Sequence, residues 1–147
     1  MSKKKKQESK RNPRTIITVV VLIAICSGLS FYLGIAAPHN SSIPIDLGGS
    51  MIVSLNYQSS ITFGPFHTGV RVAFEVIDTT HSWTLSIFDT DANPLGGLSG
   101  STSGLYETVW LYSPEGIVFW IQSSTSLPTT MNLDGILTIT SSRFPFI

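Results

Sequence analysis

Cysteine is nearly absent from this chain of 147 residues: Cys26 is the only one, and it falls inside a long apolar run. The residues after it therefore cannot form a disulfide scaffold or a cysteine-ligated zinc site, and a folded body there must hold by its core alone. Lysine is just as uneven, since none occurs after Lys10. The first fourteen residues carry seven cations against Glu8, a net +6, whereas the remaining 133 carry Arg71 and Arg143 against eight acids, a net −6. A nucleic-acid-binding domain bears its basic patch on the folded body, so no nucleic-acid partner is expected. Charged residues are only 12% of the whole, and past residue 37 no stretch keeps a helical period over a dozen positions. A solvated helical body is excluded with them.

What is present first is "TIITVVVLIAICSGLSFYLGIAA", residues 15–37, 23 positions without a charge before Pro38. At about 1.5 Å per helical residue this run reaches about 34 Å, enough for a hydrocarbon core of about 30 Å. Cations precede it and none follows until Arg71. The positive-inside rule then predicts a single-pass cell-membrane protein, amino terminus in the cytoplasm and the rest extracytoplasmic. Residues 1–14 form a basic cytoplasmic tail whose expected partner is anionic lipid, at about 1 kcal/mol per nearby cation. A cleaved secretory signal has an apolar region of about 7 to 15 residues, so the longer run reads as a retained signal-anchor. Cys26 reads as a small apolar filler within it. Ser27, Gly28, Ser30 and Gly34 are small enough to admit a second helix.

The segment "KRNPRTIITVVVLIAI", residues 10–25, resembles the start of an archaeal type IV pilin-like subunit, a basic leader running into a hydrophobic helix before a β-rich head. The resemblance implies proteolytic removal of the leader and polymerisation through the helix. In that family the cut commonly follows a small residue, whereas the junction here is Arg14–Thr15.

Residues 38–50, "PHNSSIPIDLGGS", read as a stalk broken by two prolines and a glycine pair, and Asn40 opens a glycosylation sequon within it. Beyond it the period becomes two. Alternation runs through 51–57, 70–77, 83–88, 106–112, 117–122 and 136–140, with a shorter run at 61–63. β-branched and aromatic residues alternating between glycine, proline and serine breaks predict half-buried antiparallel strands. The expected fold is all-β, an antiparallel β-sandwich or jelly roll of six to eight strands over residues 51–147.

Within that body, "DTDANP" places Asp89, Asp91 and Asn93 as a calcium loop begins, but Pro94 stands where such a loop needs glycine and Gly100 where it needs glutamate. Turn chemistry is the reading, with those three as ligands should calcium bind. No metal or other cofactor is expected. The span 83–140 resembles the membrane-side β-sandwiches called GOLD domains and the PPC domains of secreted prokaryotic proteins, in its apolar strand, Asp-rich turn, Pro114-Glu115-Gly116 turn and closing "GILTIT". That resemblance implies a non-catalytic interaction module.

No catalytic constellation is legible. "GLSGS", residues 97–101, has Ser101 where a hydrolase elbow ends in glycine, and reads as a flexible polar loop. A membrane-anchored hydrolase is the weaker alternative to an interaction module. His39, His67 and His81 have no ligand spacing, and Glu75, Asp78, Glu107 and Glu115 fall on outer faces or turns. The candidate contacts with a protein partner or a second copy are aromatic and apolar: Trp110 and Trp120, and Phe144, Phe146 and Ile147 at the carboxyl end. Tyr106, Trp110 and Tyr112 would share one strand face, as a platform for sugar or protein or as part of the core.

Overall fold

A computed structural model describes residues 13–143. The basic tail before Pro13, and Phe144, Phe146 and Ile147, lie outside the described residues. The chain divides after Gly34 into a helical unit and a β unit. In the first, α1 (Pro13–Ala36) opens on a proline, whose fixed φ suits a first helical position, and stops where Ala37 precedes Pro38. The stretch Arg14–Gly34 is uncharged after its first residue, long enough to cross a membrane, and has none of its side chains buried. A retained anchor and a signal sequence both satisfy those conditions.

The β unit contains β1 (His39–Thr62), β2 (Gly69–Thr79), β3 (Trp83–Phe88), β4 (Pro94–Gly100), β5 (Gly104–Glu107), β6 (Leu111–Tyr112) and β7 (Gly116–Ser142). Every pairing is antiparallel. Two strands are far longer than the usual five or six residues: β1 has 24 and β7 has 27. They pair with each other almost end to end, from His39 opposite Ser141 to Thr62 opposite Gly116. On its other edge β7 takes β3 along residues 118–123 and β2 along residues 133–142.

This ribbon folds back on itself. Trp83 lies opposite Ser123 and Phe74 opposite Leu137, positions about 45 Å apart along a straight strand, yet the two rings meet at 5.0 Å and 82°. The fold-back occurs where Gly49 and Ile52 slip register, Met51 adopts φ 58°, and residues 125–128 of β7 face Val53 alone. One layer thus holds the first half of β1, the second half of β7, β2, β5 and β6. The other holds the second half of β1, the first half of β7, β3 and β4. Their inner faces share one core, in which Val72, Phe74, Leu133, Leu137 and Ile139 of the first layer join Trp83, Leu85, Ile87, Phe119 and Ile121 of the second. The architecture is an antiparallel β-sandwich.

Tyr106 closes the side away from the ribbon. Its ring stands edge-on to Trp83 at 4.8 Å and lies over Gly100, and its hydroxyl donates to the Thr102 carbonyl at 3.0 Å. Aromatic rings edge to face in this way add about 0.5–1.5 kcal/mol beyond burial.

Three expectations are corrected here. Residues 39–50 are strand, not stalk, because Ile43, Ile45 and Leu47 alternate toward the core and Pro44 sits on an edge strand, where a missing N–H is tolerated. The expected strands at 117–122 and 136–140 fall in the two halves of β7, and Ile61 and Thr62 of the run at 61–63 are the end of β1. Residues 97–100 are not a flexible loop but part of β4, paired to β3 from Leu85 opposite Leu98 to Trp83 opposite Gly100.

Gly135 tests the packing between β7 and β2. A Cβ there would overlap the Glu75 carbonyl oxygen and lie 2.9 Å from Phe74 Cε2. Gly135→Ala is expected to lower stability by about 1–3 kcal/mol in denaturant melts of the full chain. Gly48→Ala, whose Cβ meets nothing nearer than 3.4 Å, should change it far less.

Candidate functional site

The outer face of the second layer brings together residues far apart in the chain. Leu55, Phe119, Ile121, Leu85 and Ile87 point into the core, so their neighbours on β1, β7 and β3 point out. Register places these in three rows: Asn56, Gln122 and Thr84; Gln58, Trp120 and Ser86; Ser60, Val118 and Phe88. Neighbours within a row are about 5 Å apart and successive rows about 7 Å. Trp120 stands at the centre and leaves 40% of its surface exposed. The Phe88 ring leans on it at 5.5 Å and 54°, which fixes one side of the indole.

Two cavities flank the indole. One of about 450 Å³ is lined by Gln58, Phe88, Asp89, Thr90, Ala92, Val118 and Trp120. The other, of about 250 Å³, runs along Asn56, Gln58, Trp120 and Gln122. Among the described residues, the side-chain amides of Gln58 and Gln122 make no hydrogen bond, and both are exposed.

The rim of the larger cavity is the turn after β3. Asp89 Oδ1 accepts from the Asp91 and Asn93 amides at 2.9 and 2.8 Å, and Oδ2 accepts from Asn93 Nδ2 at 2.8 Å. The Asp89 amide closes the turn by donating to the Asn93 carbonyl at 3.0 Å. These donors, led by the Asn93 side chain, hold the Asp89 carboxyl below its ordinary value of 3.8. Thr90 extends the rim by donating to Glu115 Oε2 at 3.0 Å. The carboxylate is thus spent on the turn.

The other candidates are dispersed. Among the described residues no group of three or more histidine, cysteine, aspartate or glutamate side chains gathers as for a metal. His67 is buried with Nδ1 2.7 Å from Ser141 Oγ, and His81 reaches Thr80 in the connection between β2 and β3. Glu107 pairs with Arg71, and Asp78 accepts from Asn132 at 3.0 Å. The expected row of Tyr106, Trp110 and Tyr112 does not form, since the strand breaks at residues 108–110. There Thr108 exchanges both backbone and side-chain bonds with Val72. Trp110 is half-buried in that break, Tyr106 packs against Trp83, and Tyr112 is exposed. Asn40 is exposed on β1 opposite Thr140. Sequence reasoning singled out Trp120 but not Asn56, Gln58, Gln122 or Phe88, whose only signal was alternation with core residues.

No family model matches the chain, and no curated protein does. Solved structures with a similar course of the chain include the Bacillus endospore appendages, described as disulfide-linked pili, at 9% identity over 72% of this chain and 88% of that one, TM-score 0.41. TmCBM61 in complex with β-1,4-galactotriose matches at 7% identity over 71% and 88%, TM-score 0.41. PirA matches at 11% identity over 71% and 92%, TM-score 0.33. Likenesses this remote carry no functional information.

The lowered Asp89 carboxyl stabilises the turn fully above 3.8, and that contribution is lost as pH falls through the lower folded value. Melts of the full chain should therefore show Asp89→Ala less stable than wild type near neutrality, with the gap narrowing below pH 3.8. Because the Asp89 oxygens already accept three N–H groups, millimolar calcium should leave the wild-type midpoint unchanged.

Proposed function

We propose that this chain is a non-catalytic, single-pass membrane protein, amino terminus in the cytoplasm, whose β-sandwich is an extracytoplasmic interaction or assembly module. The observation that carries the reading is α1: a span of 21 residues with no buried side chain, preceded in sequence by the basic run. A helix apolar all round and unburied by protein has lipid as its natural solvent. The seven cations before residue 15 supply the inner-leaflet contact and the orientation.

The non-catalytic part is supported by where the polar groups go. Glu107, Asp78 and Glu115 are each taken up by Arg71, Asn132 and Thr90, and His67 by Ser141. Meanwhile, among the described residues, the β unit leaves a long edge for a partner, since β1 pairs there only with β7, and its second half, residues 54–62, has no proline, glycine or charge to blunt it.

Alkaline carbonate washing should leave the intact chain in the membrane pellet. Protease added to whole cells should remove the carboxyl-terminal domain, and the mature amino terminus should retain residues 1–14. Release of the intact chain by carbonate, or protection of the domain from external protease, overturns the reading. A mature chain beginning near Thr15 would favour the pilin-like alternative instead.

A further inference from the structure

From the rows around Trp120 we infer a binding site for a neutral saccharide, which names the ligand class of the module proposed above without depending on its anchor. A pyranose ring presents two faces of C–H bonds and a rim of hydroxyls. Those C–H bonds are polarised positive by the attached oxygens, so they seek the negative face of an aromatic ring, and indole offers the largest such face. The hydroxyls require partners that both donate and accept. Side-chain amides do both, carrying two N–H donors and a carbonyl acceptor each.

The rows supply this combination at the spacing of a sugar ring. Trp120 stands between Gln58 on β1 and Ser86 on β3, with Asn56, Gln122 and Thr84 in the next row. The amides of Gln58 and Gln122 have no partner among the described residues, and they stand within reach of anything seated on the indole. Phe88 and Val118 close the opposite side, so that the larger cavity has an apolar wall and a polar one.

Charge selects among the ligands. No lysine or arginine lines either cavity, and the charged side chain that does, Asp89, is an acid whose oxygens serve the turn. An anionic ligand meets repulsion there, and a cation finds no free carboxylate. A protein partner is the other class that uses exposed tryptophan, but its interface needs about 800 Å² on each side with further anchors around the centre. Here a single indole has amides and hydroxyls on one side and Phe88 and Val118 on the other, over pockets of about 450 and 250 Å³, the scale of small-ligand sites.

The test is affinity electrophoresis of the full chain in a zwitterionic detergent free of sugar headgroups. Gels would contain soluble glucan, mannan or galactan, with polygalacturonate as the anionic comparison. At least one neutral polymer is expected to retard the wild type. Trp120→Ala should weaken that retardation at least tenfold and Gln58→Ala severalfold, with unchanged circular dichroism, whereas Leu105→Ala, exposed on β5 of the other layer, should bind as wild type. Should Trp120→Ala fail to fold, the Gln58→Ala result and protection of tryptophan fluorescence from quencher by the bound polymer decide. The inference is overturned if no neutral polymer retards the chain, if polygalacturonate binds better, or if folded Trp120→Ala is retarded equally. Self-association abolished by Trp120→Ala without saccharide binding would likewise assign the face to a second copy. Loss of binding in a chain that still behaves as a membrane protein removes this inference alone. Reducing ends released from a bound polymer would uphold the site and remove the non-catalytic reading.

Discussion

The β unit depends on one pairing, that of β1 with β7. Their ladder runs from His39 opposite Ser141 to Thr62 opposite Gly116, and both layers of the sandwich are built on it. A flat ribbon of that length would expose one apolar face from end to end. Folding it across the Gly49–Ser54 irregularity turns that face inward on both sides, so that Ile45, Leu133, Leu137 and Ile139 close on Leu55, Phe119 and Ile121. With no cysteine in the β unit, this burial holds the sandwich without disulfides. β2 and β3 then dock on the free edge of β7, one to each half.

The candidate site is a consequence of the same ladder. Because β7 lies between β1 and β3 in the second layer, Trp120 has a neighbour on each side, Gln58 and Ser86, and those neighbours come from positions 62 and 34 residues earlier in sequence. The Asp89 turn completes the enclosure. Its side-chain bonds to Asp91 and Asn93 fix the end of β3 where Phe88 leans on the indole. A strand turned round by carboxylate–amide bonds, with no cation required, thus sets the rim of the larger cavity.

Period two made the all-β class and the strand at 83–88 legible, and the residue types of "DTDANP" did the same for the Asp89 turn. What escaped was continuity. Pro44 and the Gly48-Gly49 pair look like loop chemistry, and only the pairing with β7 reveals that the proline sits on an edge and the glycines at a bend. Similarly, the alternation at 117–122 and 136–140 reads as two strands, yet β7 continues from one to the other through Leu127 and Pro128. At residues 106–112 alternation predicts one strand, but Thr108 inserts its hydroxyl into the bonding of Val72 and breaks the run. The site was half legible for a similar reason. A tryptophan alternating with core residues is visible in one segment, while its amide neighbours are set by long-range register, which no local pattern encodes.

Hydrogen exchange on the full chain tests the ribbon most directly. If residues 39–48 are the first half of β1, alternate amides there should be protected to the same degree as those of residues 54–62 and 131–142, and all should open in one cooperative step. Exchange of residues 39–48 at free-chain rates, with the remainder of the β unit protected, would contradict the account, since the ladder would then lack the half on which the first layer is built.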